Sequence, residues 1–169
     1  SICKKNNIKY IHRPKKLATK NSNEMLAWKH AINYVSNKFG NFDYFISLPA
    51  TSPLRKTTDI KKIIKKCLKE KNNNIYLTVT KLKNNIINNL VVKKNNKISL
   101  LEDKIKTNNL KNNVFQINGS IYLLKKDLIK KIKKELSELN LSFIETSPLS
   151  SIDIDDINDF KLAKSLLKK

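Results

Sequence analysis

Apolar positions recur along this chain in two rhythms, one near 3.6 residues and one of two, and the alternation between them lays out the elements. Ile60, Ile63, Ile64, Cys67 and Leu68 fall at i, i+3, i+4, i+7 and i+8, which is one stripe of an amphipathic helix starting at Thr58. Trp28, Ala31, Ile32 and Val35 share a face of an earlier helix that runs to about Asn37, and Asn21 with Glu24 three residues on resembles a capping box ahead of it. A third helix is expected from Asp127, with Leu128, Ile129, Ile132, Leu136 and Leu139 on its stripe. A last one turns Phe160, Ala163, Leu166 and Leu167 inward.

Between the helices lie β-favouring runs. Ser1 to Asn7 reads as a helix end, and Ile8-Lys9-Tyr10-Ile11 as a short strand before the Arg13-Pro14 loop. Tyr44 to Leu48 is an apolar run of the kind that makes a fully buried strand, stopped by Pro49. Ile75 to Thr80 and Gly119 to Leu124 are two more. Strand, helix, strand in this order predicts an α/β fold with a right-handed crossover and a mostly parallel sheet. Lys81 to Gln116 breaks the pattern. Its two short apolar runs, Leu90-Val91-Val92 and Ile98-Ser99-Leu100, flank Asn95-Asn96, a hairpin turn within an arm or insertion over residues 81–117.

Composition narrows the picture. The 169 residues suit a single domain over 1–169, and with only 2 Gly many turns fall to Asn, which tolerates the left-handed conformation. A net charge of +21 would ordinarily raise nucleic acid or an anionic surface as partner. Here the excess is Lys spread over every expected helix and loop, with Arg only at positions 13 and 55, beside the Asn and Ile that AT-rich codons also produce. That distribution lacks the Arg forks and stacked aromatics of a nucleic-acid reader, so nucleic acid is not the expected partner. Cys3 and Cys67 form no metal-binding spacing, and no run is long enough to span a bilayer, so a reduced cytoplasmic setting is expected. Ser1 opens the chain and the one Met, Met25, lies inside a helix, so a truncated N-terminus is expected as well.

Three constellations carry candidate chemistry. Leu48-Pro49-Ala50-Thr51-Ser52-Pro53-Leu54-Arg55 sits where a strand ends and a helix begins, the place where α/β sheets collect ligands, and Arg55 can hold phosphate or carboxylate in a planar fork. The plainer reading is a proline-shaped loop whose hydroxyls cap the next helix. Asp153 and Asp155, separated by one residue, share a side if Ile152 to Asp155 is extended, and two adjacent carboxylates suit Mg²⁺. Asp156 and Asp159 read instead as helix caps. Asn118-Gly119 is either a hairpin turn or a bare stretch of backbone that a ligand can approach. His12 and His30 have no partner at metal-ligand or triad spacing.

Taken in order, Arg13-Pro14-Lys15-Lys16-Leu17-Ala18-Thr19, Leu48 to Arg55, Asn118-Gly119-Ser120-Ile121-Tyr122, and Asp153-Ile154-Asp155 with Asp159-Phe160 resemble the acylneuraminate cytidylyltransferase family, the CMP-sialic acid synthetases. The resemblance spans nearly the whole chain. It implies a Rossmann-like nucleotidyltransferase fold and transfer of CMP from CTP to an acidic nine-carbon sugar with loss of pyrophosphate. It assigns Arg13, Ala50, Thr51, Ser52, Asn118, Gly119 and Tyr122 to substrate binding and Arg55, Asp153 and Asp155 to catalysis, with Mg²⁺ on Asp153 and Asp155. It also implies a homodimer built through the 81–117 arm. The family's phosphate-binding loop would precede residue 1, and the fragment alone is expected to be inactive. Pro49-Ala50 stands where many members carry Gln-Pro, and Lys106 to Asn113 offers no Arg-Gln element. A ketodeoxyoctonate-type CMP synthetase and a Lys-rich nucleic-acid-binding module are the alternatives.

Overall fold

The computed structural model describes residues 2–19, 22–70, 75–82, 90–94, 97–100, 114–131 and 140–167. A short helix α1 (Ile2–Lys5) opens the chain, followed by an irregular stretch and a 3-10 turn at Lys15–Leu17. No strand forms at Ile8 to Ile11. Ile8 and Tyr10 are exposed there, and a β-favouring run without a neighbour to share its backbone hydrogen bonds gains nothing by extending.

Helix α2 (Glu24–Phe39) begins at an N-cap on Asn23, whose side-chain oxygen accepts from the Met25 N–H at 2.8 Å. Asn21 lies outside the described residues, and Glu24 does not reach back; its carboxylate accepts from the Trp28 indole at 3.2 Å. The helix ends at Gly40, whose φ of 92° lies in the left-handed region that favours glycine. There follow β1 (Tyr44–Ser47), α3 (Thr57–Glu70), β2 (Ile75–Lys81), the hairpin strands β3 (Val91–Lys94) and β4 (Lys97–Leu100), and β5 (Phe115–Lys125). The chain closes with α4 (Lys126–Lys131), β6 (Leu141–Glu145), a 3-10 turn at Pro148–Ser151, and α5 (Ile157–Leu167).

The main sheet has the order β1-β5-β2-β6. Strand β5 runs antiparallel to both β1 and β2, while β2 and β6 are parallel. The expectation of a mostly parallel sheet is therefore corrected: β1, β2 and β6 do point the same way, but β5 intrudes between β1 and β2 and turns two of the three pairings antiparallel. The cause is the arm. Lys81 pairs with Phe115, and the Leu82 N–H donates to the Val114 carbonyl at 3.0 Å, so the stretch between them is the long connection of a β2–β5 hairpin. Within it β3 and β4 pair antiparallel as expected, although their Asn95-Asn96 turn lies outside the described residues.

Period-two alternation builds two cores on the sheet's two faces. Ile75, Leu77 and Val79 of β2 and Tyr122 and Leu124 of β5 pack against Met25, Trp28 and Ile32 of α2 and Ile129 of α4. Tyr76, Ile121 and Leu123 face the other way, onto Ile63 and Cys67 of α3. Each fully buried aliphatic side chain contributes about 1.5–3 kcal/mol, so the central strands carry most of the stability. Burial falls away from this centre, which corrects three further expectations. Strand β1 lies at an edge of the described sheet and is only half-buried. Ile64 and Leu68 on α3 are exposed at the rim. On α5 Ala163 is buried, but Phe160 is 48% and Leu167 61% exposed. Ile132, Leu136 and Leu139 lie outside the described residues.

Candidate active site

The register of β2 against β5 is broken at one place. From Leu77 to Val79 strand β2 advances two residues, while their partners on β5 run from Tyr122 to Ile117, five residues apart. Strand β5 therefore bulges over Asn118 to Ile121, and bulges re-aim backbone and side chains next to a site. Gly119 sits in the bulge with φ 69°, a conformation that favours a residue without Cβ. Asn-Gly thus makes a bulge and not a hairpin turn.

Side chains fill the gap in the ladder. The Thr78 hydroxyl donates to Asn118 Oδ1 at 2.6 Å and accepts from the Ile121 N–H at 3.1 Å. Asn118 Nδ2 donates toward the hydroxyls of Thr80 (2.9 Å), Thr146 (2.8 Å) and Ser151 (3.0 Å). One amide thereby joins β2, β5 and the turn that follows β6.

A cavity of about 590 Å³ opens beside this bulge, and Asn118, Gly119, Tyr122, Asp153 and Asp155 all line it, with Gln116 and Lys81 at the β2–β5 end. Asp153 and Asp155 lie on an irregular segment held to the loop after β1 by the Ile154 N–H, which donates to the Thr51 carbonyl at 2.9 Å. Asp153 Oδ2 is 3.9 Å from where a Cβ on Gly119 would stand, as is the Tyr122 hydroxyl. Asp153 Oδ1 is shielded from solvent and has no hydrogen-bond partner among the described residues. Neither carboxylate is in an ion pair among those residues, in a chain of net charge +21. Burial first, then the nearby carboxylates of Glu24 and Asp153, push the Tyr122 hydroxyl above its ordinary pKa, so it stays a neutral donor.

The loop after β1 is adjacent but does not supply the cavity wall. Arg55 donates through Nε to the Ser120 carbonyl at 2.8 Å and through a terminal nitrogen to the Pro49 carbonyl, fastening the loop to the β5 bulge. Its partial burial lowers the guanidinium's pKa. Ser52 is buried, with a hydroxyl that has no partner among the described residues, while Ala50 and Thr51 are exposed. Arg13 is exposed ahead of the 3-10 turn and is not among the cavity residues. His12 and His30 line a separate groove with Lys9 and Lys38.

Sequence reasoning missed the four hydroxyls around Asn118. Their signal was present: Thr78 and Thr80 are polar residues at a spacing of two within an otherwise apolar buried strand, which asks for a partner in the interior.

No protein-family model matches the sequence, and no curated protein matches it. Among solved structures, it is similar to CMP:2-keto-3-deoxy-manno-octonic acid synthetase complexed with CTP, with a TM-score of 0.63 at 11% identity over 88% of this chain and 69% of that one. The likeness is one of fold. The mixed sheet and its covering helices match the architecture of that structure at a coarse level. Among the described residues no helix is long and apolar enough to cross a membrane.

Proposed function

We propose that this protein is a cytidylyltransferase that moves CMP from CTP to the anomeric hydroxyl of an acidic nonulosonic sugar of the sialic acid type. The hydroxyl oxygen bonds to the α-phosphorus, the bond to the bridging oxygen of the β-phosphate breaks, pyrophosphate leaves, and the hydroxyl proton passes to solvent. The observation that carries this reading is Asp153: a carboxylate with one oxygen buried and unpartnered, beside a glycine that leaves room for a ligand, in the same cavity as Asp155. A buried carboxylate oxygen without a partner is costly unless something completes it.

Hard oxygen donors of this kind fit Mg²⁺, which binds through one or two carboxylates together with substrate phosphates. Asp153 and Asp155 would hold it, and when bound it neutralises charge on the α-phosphate. The rest falls to the chain itself. Gly119 lets the backbone approach the ligand, the Tyr122 hydroxyl lines the same cavity as a donor for that ligand, and Arg55 keeps the Thr51-Ser52 loop against the bulge. A homodimer formed through the 81–117 arm and a cytoplasmic setting belong to the same proposal.

An eight-carbon acceptor is the second reading, favoured by the fold likeness to the octonic acid synthetase. The test is pyrophosphate release by the full gene product given CTP, Mg²⁺ and, in separate reactions, a nine-carbon acid, an eight-carbon acid and a neutral hexose. Release with the nine-carbon acid supports the proposal, and release with the eight-carbon acid alone selects the second reading. Release with neither acid contradicts both.

A further inference from the structure

Asn118 invites the reading that its amide touches the ligand, because it lines the cavity beside Gly119. Its hydrogen bonds argue otherwise. Oδ1 accepts from the Thr78 hydroxyl at 2.6 Å and from the Ser120 N–H at 3.2 Å, using both lone pairs. The backbone N–H of Ser120 can only donate, so the orientation of the amide is set. The two hydrogens of Nδ2 face three acceptors, and two of these have their own protons committed: the Thr146 hydroxyl donates to the Val79 carbonyl at 3.3 Å and that of Ser151 to the Ser147 carbonyl at 3.0 Å. Asn118 is 7% exposed. No donor or acceptor is left over for a ligand.

We infer that Asn118 is a positioning residue, and that with Thr78, Thr80, Thr146 and Ser151 it sets the two walls of the cavity at a fixed separation without touching what binds there. On one wall the knot fixes the residue before Gly119, and Arg55 fixes the residue after it through the Ser120 carbonyl. On the other wall Ser151 stands two residues before Asp153, and the Ile154 N–H bond to Thr51 stands one residue after. Gly119 and Asp153 are thus each gripped on both sides, and the amide is the link between them. Fully satisfied buried polar networks of this kind hold a single geometry. The inference rests on the site assigned above, although its structural half does not depend on which reaction runs there.

Thr146 and Thr78 belong to the knot but do not line the cavity, which separates positioning from contact. The test compares Asn118→Ala, Thr146→Val and Thr146→Ser by two measurements: the amide resonance and hydrogen exchange of Gly119, easily assigned as one of only 2 Gly, and kcat/KM for CTP in the full protein. Thr146→Val is expected to shift the Gly119 resonance, speed its exchange and lower kcat/KM by about 10–100-fold, the range for residues that orient a site's ligands. Thr146→Ser, which keeps the hydroxyl, should stay within about threefold of the parent. A Gly119 amide unmoved by Thr146→Val, with activity lost only in Asn118→Ala, overturns the inference and makes Asn118 a ligand contact. If Thr146→Val does not fold, Thr146→Ala, which also removes a hydroxyl that does not line the cavity, gives the same two readings. Should Gly119 respond as expected while no form of the protein turns over CTP, the positioning inference stands and the functional reading fails.

Discussion

Four carboxylates lie within seven residues of one another near the C-terminus, and the structure sorts them into two unlike pairs. Asp156 and Asp159 are each engaged by two backbone N–H groups: Asp156 Oδ1 accepts from those of Asn158 (2.7 Å) and Asp159 (3.1 Å), and Asp159 Oδ2 accepts from those of Asp155 and Asp156, both at 3.0 Å. Together they cap α5 in the reciprocal way that satisfies orphan donors at a helix start. Asp153 and Asp155, a few residues upstream, face a cavity, and one oxygen of Asp153 is buried with no partner among the described residues. The same side chain therefore has two fates in one short stretch, decided by whether backbone N–H groups are within reach. Carboxylates that the fold has already satisfied stabilise it, and those it leaves open are available for chemistry.

The sharpest way to break this comparison is to neutralise each pair in turn. Asp153→Asn and Asp155→Asn are each expected to lower turnover by at least about 100-fold with little change in thermal midpoint, because on the proposed reading these carboxylates hold the cation and they make no structural bond among the described residues. Equal activity in either variant contradicts the assignment. Arg55→Met should come next: it leaves the Ser120 and Pro49 carbonyls without their donor and costs about 1–3 kcal/mol in a urea titration, with activity falling as the loop loosens. Asp156→Ala should cost about 1 kcal/mol of stability by the same titration while kcat/KM stays within about threefold, the reverse of the Asp155 result.

The smallest effect concerns Tyr122. Its pKa is raised in the folded protein, so the native state holds the proton more tightly than the unfolded chain does. Stability from this group is complete below the unfolded value near 10 and declines as pH climbs from there through the folded value. Between pH 8 and 11 the urea midpoint should fall more steeply in the parent than in Tyr122→Phe; parallel curves contradict the burial argument.

How much of this was legible beforehand follows from the range of the forces involved. Helix stripes such as Ile60-Ile63-Cys67 are local and were read correctly, as was the capping role of Asp156 and Asp159. The antiparallel insertion of β5 between β1 and β2 was not, since strand order depends on which edge the chain meets after a long connection, and no local pattern encodes that. The candidate site divides the same way. The spacing of Asp153 and Asp155 puts them on one side only if Ile152 to Asp155 is a strand; the segment is irregular, and both residues line one cavity nonetheless. The part played by Arg55 could not be read, because the carbonyls that hold it come from Pro49 nearby and from Ser120, distant in sequence. Asn118 likewise gains its partners from Thr78 and Thr80 on β2 and from Thr146 and Ser151 in the turn after β6, two segments that meet β5 only once the sheet is built.

Paramagnetic broadening tests the open carboxylate pair directly. With CTP and Mn²⁺ added to the isotopically labelled protein, the Gly119 amide should broaden strongly, since Asp153 Oδ2 lies next to it, while Gly40 at the far end of α2 stays sharp. The broadening should vanish in the Asp153→Asn, Asp155→Asn double variant. A Gly119 signal as sharp as that of Gly40, or one that broadens equally without the two carboxylates, contradicts the claim that they hold a cation in this cavity.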